Sequence, residues 1–460
     1  MEPFLERLAG GTCGRRTLLR TAALASALPA CWRSIIGPAA LPVAPVSTPW
    51  PQANAILAGT ALPRIPPAIF RAESFKLRGD GVSDDTEALQ GAIDACHAAG
   101  GGQVVVPAGV FRTGALRLRS RVELRLAGAI IRFSGDPQRF PPVATRYEGL
   151  ECVNRSPMLY AHGETDVAVT GDGTLDAAAT ARWNRGSDRE RILEPLVSRG
   201  VPPERRIVVD QLRTAMVELN LCARVRLQGL TLAGAPFWQV HPTLCTDVTI
   251  EEITTSDSGP NSDACDPESC DRVVIRRCTL ASGDDDIALK SGRDEDGRRL
   301  SVPCRNVVIV GCQAEGRYGF LNCGSEQTGG IENVYAFANR SFGAGVGHVL
   351  WVKSNPLRGG WTRNVNLSGF SGHIRFAVVA LTMGYAGQSG SSRPVFENIH
   401  LDRLTVDGAQ AVLDVEGLPA SRIRDLAISD STFTDVLGSD RVRYADVALR
   451  DVAINGQPMR

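Results

Sequence analysis

Asp247-Val-Thr-Ile250, Arg272-Val-Val-Ile275 and Asn306-Val-Val-Ile309 repeat one short pattern, a polar residue followed by aliphatic and β-branched ones. The same pattern stands at Asp166-Val-Ala-Val169, Arg224-Val-Arg-Leu227, Asn333-Val-Tyr335, Asn364-Val-Asn-Leu367 and Asn398-Ile-His-Leu401. The starts at 224, 247 and 272 are 23 and 25 residues apart, and the later intervals are somewhat longer. A period of about 20–50 residues marks stacked units, none of which buries its apolar face alone. Each unit holds only short strands separated by Gly, Asp, Asn and Ser turns. Leucines at the fixed offsets of a leucine-rich repeat are missing, and a propeller needs about four strands per repeat, too many for these lengths. The pattern predicts an all-β fold, a right-handed parallel β-helix over residues 68–460.

Solenoids need covered ends. Asp84-Asp85-Thr86-Glu87 places acidic residues at the start of an apolar-periodic stretch, Ala88 to Ala99, where a helix N-terminus favours them. Gly100-Gly101-Gly102 ends it, so this helix is expected to cap the N-terminal coil. Across the 460 residues, 50 Lys and Arg balance 50 Asp and Glu. A nucleic-acid binder would need a basic surface, so that class is excluded. An acidic substrate stays open, because a local cluster steers one without net charge. No apolar run reaches the roughly 20 residues of a membrane span.

The first 36 residues read as an export signal. Arg15-Arg16-Thr-Leu-Leu-Arg20 precedes a small apolar stretch, Thr21 to Ala30, in the order of a twin-arginine leader. Leu28-Pro-Ala-Cys31 resembles a lipoprotein box that would make Cys31 a lipid anchor. Residues 37–67, rich in proline and alanine, read as a linker. Twelve cysteines lack the spacing of a zinc site and are expected to pack as small core residues, with a few free to pair. The expected assembly is a monomer.

One stretch stands out for acid density: Asn261-Ser-Asp263, Asp266 and Gly283-Asp-Asp-Asp286. Asp263 and Asp284 are 21 residues apart, close to one coil, which stacks them at about the 4.8 Å strand separation. Carboxylates gathered on one face raise one another's pKa, and a pair in two protonation states is what glycoside hydrolysis uses. On spacing alone, a solvated acidic turn or a calcium site fits the same residues.

Gly259-Pro-Asn-Ser-Asp-Ala-Cys-Asp-Pro-Glu-Ser-Cys270 with Ser282-Gly-Asp-Asp-Asp-Ile-Ala-Leu-Lys-Ser-Gly292 resembles family-28 glycoside hydrolases, the polygalacturonase family. Arg293-Asp-Glu-Asp-Gly-Arg-Arg299, Gly324-Ser-Glu326, Pro236-Phe-Trp-Gln-Val-His-Pro242 and Gly79-Asp-Gly-Val-Ser-Asp-Asp85 look like its bacterial branch, and the likeness spans roughly residues 70 to 455. It implies a right-handed β-helix and inverting hydrolysis of pectic polymers without a cofactor or metal. It also implies Asp284 as general acid, Asp263 and Asp285 as the pair that activates water, and Lys290 and Lys353 near a uronate. Asn261 belongs to the same motif and is expected at the substrate. Asp286 falls where many relatives have a small residue and reads as peripheral. Tyr318 replaces the histidine of the family's Gly-His-Gly motif, and Trp351 the arginine of Arg-Ile-Lys. Tyrosine cannot become a cation near neutral pH, and tryptophan offers a stacking face in place of a carboxylate clamp. Plain polygalacturonate is therefore expected to be a poor substrate. His348 is a candidate for the missing imidazole, and His241 reads as structural. The competing readings are a polysaccharide lyase on the same fold and a non-catalytic carbohydrate-binding β-helix.

Overall fold

A computed structural model describes residues 48–185 and 188–459. They form a right-handed parallel β-helix, one coil per sequence repeat. Val167, Val225, Val248, Val273, Val307, Val334, Val365, Ile399 and Leu426 sit directly above one another in consecutive parallel strands. They are the aliphatic position of the repeat, and all are buried in one continuous core.

The polar residue that opens each repeat has its own cause. Asp166, Arg224, Asp247, Arg272, Asn306, Asn333, Asn364 and Asn398 all have φ between 54° and 59°. The chain turns there through the left-handed region, which Asn and Asp tolerate better than other side chains with a Cβ. The asparagines then bond along the stack: Asn333, Asn364 and Asn398 each donate to the preceding amide oxygen at 3.1–3.2 Å. Arg224 and Arg272, less suited to that backbone, are each clamped by a two-pronged ion pair to the aspartate of the coil before, Asp166 and Asp247.

Helix α2 runs over Thr86–Ala98, about two residues earlier than its apolar period alone predicts, and buries Leu89, Ala92, Ile93 and Cys96 against the first coil. Gly101 ends the turn where a Cβ would meet the Arg121 carbonyl oxygen at 2.4 Å, at φ +103°.

The stretch 37–67 departs from the linker expectation wherever it is described. Pro51–Gly59 forms helix α1, which packs Ala53 against Val308 and Tyr335 on the outside of the solenoid. Trp50 packs tilted against Tyr335 and edge-on to Phe337. Beyond the helix, the Ala61 and Arg64 amides donate to Asp247 and Asp166. Ala53, Ile56 and Leu57 carry the helical spacing i, i+3, i+4, hidden by the surrounding prolines. The export signal and Cys31 lie outside the described residues. Ten cysteines fall within them, all buried and unpaired. No described helix is long and apolar enough to cross a membrane.

Candidate active site

The site grows from one sheet of the solenoid, whose strands include Val240–Thr243, Ile287–Leu289, Gly319–Cys323, His348–Lys353 and Ala377–Thr382. Main-chain bonds tie its residues coil to coil. The Gln239 amide donates to Asp263 O, Ala264 to Asp285 O, Tyr318 to Asp284 O and His348 to Tyr318 O, all at 2.9–3.1 Å. Asp263, the pair Asp284–Asp285, Tyr318 and His348 thus occupy neighbouring coils. Gly283 is needed there, since a Cβ would lie 2.0 Å from the Gly259 carbonyl oxygen.

Asp263, Asp284 and Asp285 present carboxylate oxygens within 4.8 Å of one another. Asp284 is half-buried, and burial together with the charge of Asp285 pushes its carboxyl up to about 6. The Asn261 main-chain and side-chain N–H groups aim at Asp284 Oδ2 from 3.3 and 3.4 Å. Asn261 is in turn held by Arg213, whose Nη2 donates to its Oδ1 at 2.6 Å. Asn261 therefore contacts the carboxyl expected to be the acid.

Asp285 differs. Lys353 Nζ donates to its Oδ2 at 2.7 Å, and the Gly319 amide donates to Oδ1 at 3.3 Å. Burial alone would lower the Lys353 pKa, but the Asp285 charge outweighs it and raises it. Asp263 is almost fully buried, and burial with the charges of Asp266 and Asp284 pushes its carboxyl well above the usual range. The three carboxylates are close enough to gather round a cation, but two ammonium groups already supply positive charge beside them.

Both lysines expected to meet a uronate are buried and committed to the protein's own carboxylates. Lys290 Nζ lies 3.3 Å from Asp266, 3.4 Å from Glu326 and 3.8 Å from Asp263, and 4.4 Å from the centre of the Trp238 ring. Lys353 Nζ lies 4.0 Å from the centre of the Trp351 ring. A buried ammonium needs such partners, because an unpaired one would cost several kcal/mol.

Aromatic rings fill the next coils. Tyr318 and Trp351, both half-buried, are 5.9 Å apart, and Trp351 is 5.0 Å from His348 and 6.1 Å from Tyr385. His348 is buried, with Nδ1 2.6 Å from the Ala377 carbonyl oxygen, and burial lowers its pKa, which favours a neutral ring. The His348 ring thus packs against Trp351 and Phe376, with its main chain bonded to Tyr318. His241 is fully buried, donating from Nε2 to Glu268 at 3.0 Å, with Glu218 3.7 Å from Nδ1. Burial would lower its pKa, but the two glutamates win and raise it to about 9.

Asp286 lies away from this group. It is fully buried, accepts from Ser282 Oγ at 3.0 Å, and stands where a Cβ on Gly316 would touch it. Burial without a close cation pushes its carboxyl well above the usual range. Sequence reasoning passed over Tyr385, Arg213 and Glu326 as site residues. Of these, only Glu326 stood in a recognised motif.

The β-helix thus lines up a carboxyl raised to about 6 beside one held in an ion pair, an arrangement of the kind acid–base chemistry uses. The glycosyl hydrolases family 28 model matches residues 96–339. The hyperthermoactive exopolygalacturonase of Thermotoga maritima is 32% identical, with a TM-score of 0.85 over 89% of this chain and 96% of that one. A Vitis vinifera protein named "Probable polygalacturonase" is 27% identical over 77% of this chain and 72% of its own length. The exo-poly-alpha-D-galacturonosidase of Dickeya chrysanthemi is 25% identical over 71% of this chain and 58% of its own. The chain belongs to glycosyl hydrolases family 28 and is a glycoside hydrolase.

Proposed function

We propose that the protein hydrolyses a pectic polysaccharide or oligosaccharide with inversion at the anomeric carbon, Asp284 serving as general acid. The carrying observation is the contrast between neighbours: Asp284 is pushed up to about 6, while Asp285 is ion-paired with Lys353 at 2.7 Å. One carboxyl gives a proton to the leaving glycosidic oxygen, and the other takes one from water. The pectic substrate is supported by the names of the relatives, which act on galacturonan.

The spacing of the carboxyls is short. Inverting pairs commonly stand about 6.5–9.5 Å apart and retaining pairs about 5–5.5 Å, whereas these oxygens lie within 4.8 Å. Two considerations favour inversion. Both Asp285 oxygens already accept hydrogen bonds, from Lys353 and Gly319, which leaves it a poor nucleophile but a usable proton acceptor. Asp263 adds a second carboxyl, and a water bonded to both is fixed for attack. Proton NMR of the first product formed tests this. The β-anomer from an α-linked substrate is expected, and initial release of the α-anomer would overturn the inverting reading.

Tyr318, Trp351 and Tyr385 offer ring faces where a galacturonan cleft would be expected to show cations. This supports a neutral or substituted sugar in one subsite beside the scissile bond. Residues 1–36 are inferred to direct twin-arginine export. Ten buried, unpaired cysteines suit a chain that folds in a reducing compartment before it crosses. A fusion of these residues to a reporter should reach the periplasm, and Arg15→Lys/Arg16→Lys should strand it in the cytoplasm. Undiminished export of the double variant would count against the route.

A further inference from the structure

Asp266 follows Asp263 by three residues and is completely buried. Neither of its oxygens receives a hydrogen bond, and Oδ1 of Asp263 receives none. A single ammonium serves both: Lys290 Nζ stands 3.3 Å from Asp266 Oδ1 and 3.8 Å from Asp263 Oδ2, and it is shared with Glu326 at 3.4 Å. His241, the other cation near Asp266, is engaged by Glu218 and Glu268. The Cys265 thiol is a further ionisable group near Asp266.

Counting charge leaves a surplus. Asp263, Asp266, Asp284 and Asp285 face Lys290 and Lys353. Glu326 is balanced by Arg293 at 3.0 Å, while Glu218 and Glu268 are balanced by His241 and Arg146. Four carboxyls against two ammonium groups require two protons, because a buried carboxylate without a partner takes up a proton rather than stay charged. One proton belongs to Asp284 as the acid. Asp285 is paired with Lys353, so the second has only Asp263 or Asp266 to occupy.

We propose that Asp266 is a positioning residue for the hydrolysis, sharing one proton with Asp263 so that Asp263 holds the attacking water while Asp285 takes its proton. The step balances. The water oxygen bonds to the anomeric carbon as one water O–H bond breaks toward Asp285, and the glycosidic C–O bond breaks as Asp284 protonates the leaving oxygen. Burial favours the shared proton, pushing Asp266 up to about 7 against the pull of Lys290 and His241. It also limits the field at the acid: a second full anion at Asp263 would tighten the hold of Asp284 on the proton it must give away. The pair titrates as a unit, so the proton is assigned to both residues. This inference rests on the proposed role of Asp284.

Infrared difference spectra of the substrate-free enzyme near pH 5 test it, because a protonated carboxyl has a C=O band that a carboxylate lacks. Asp266→Asn should remove one such band, since Asp263 then has Lys290 to itself and ionises. Asp263→Asn should remove one for the same reason. The double variant should lose no more than either single variant. Loss of two bands in the double variant, or none in the singles, overturns the shared proton. Should Asp266→Asn fail to fold, Asp263→Asn alone carries this arm.

Kinetics give an opposite-sign check. In Asp266→Asn the full charge sits on Asp263, close to Asp284, and the basic limb of kcat/KM should move up by about half to one pH unit. Were Asp266 an ordinary anion, its removal would subtract negative charge and move the limb down. A fixed or lowered limb overturns the proposal. The infrared arm needs no turnover, so a wrong assignment of Asp284 would show up separately, as near-native activity of Asp284→Asn.

Discussion

Asp284→Asn is the most direct test of the acid. Its carboxyl stands at about 6 against an ordinary 3.8, because burial and the Asp285 charge both disfavour its anion. About two units at ~1.4 kcal/mol each make that anion roughly 3 kcal/mol costlier than in water. The sign follows: the acid works protonated, so kcat/KM should fall about tenfold per pH unit once pH rises above about 6. Asparagine keeps the volume and can still meet Asn261, but it has no proton to give. Turnover on a pectic oligosaccharide, followed by reducing ends, should drop about a hundred- to ten-thousand-fold, and the basic limb should vanish. An aryl glycoside whose leaving group departs unaided should recover most of the loss, with a deficit below about tenfold. A limb that persists near pH 6 in the variant, or equal deficits on both substrates, would refute the assignment.

Two other expectations concern the surroundings of the acid. His241, raised to about 9 by Glu218 and Glu268 against burial, binds its proton more tightly folded than unfolded. Its contribution is full below about pH 6.5 and lost as pH rises through 9, on the order of 3 kcal/mol. Urea unfolding at pH 6 and 9.5 should show this decline in the native chain and a smaller one in His241→Gln. Equal declines would mean the histidine is not charged at neutral pH. On substrate choice, kcat/KM should be higher for rhamnogalacturonan oligosaccharides than for polygalacturonate, and Trp351→Ala should cost about three- to tenfold on the better one. Faster cleavage of plain polygalacturonate would sink the neutral-subsite reading.

The sequence and the fold meet most closely in the repeat. A valine, isoleucine or leucine at each coil of the repeat lies on one vertical ladder, and the polar residue before it sits in a left-handed turn. Both features follow from local chain geometry, so both are legible in one dimension. The gathering of Asp263, Asp284 and Asp285 was legible for a related reason, because 21 residues is nearly one coil. Helix α1 was obscured: its three apolar contacts are diluted by prolines that, from composition alone, signal an open linker. Lateral contacts were not legible. Lys353 reaches Asp285 across 68 residues and Arg213 reaches Asn261 across 48, and no periodic signal records which side chains meet inside a cleft.

The β-helix itself sets the terms of this chemistry. Parallel stacking repeats each side-chain position at about 4.8 Å, so an acid placed in one coil finds its neighbours in the next whether or not they suit it. Like charges at that distance in a buried site cannot all remain ionised. Each surplus carboxylate must receive an ammonium from another coil or keep a proton. Lys353 settles the matter for Asp285, at 2.7 Å, and Lys290 is divided among Asp263, Asp266 and Glu326. Asp284, the carboxyl of this set that is half-exposed to the cleft, has no lysine within ion-pair distance, and its carboxyl is raised to about 6. The strength of the acid is therefore fixed first by its burial and the charge of Asp285, and then tuned by the two lysines divided among the other carboxylates. Moving either lysine should change the pH dependence of a step it never touches.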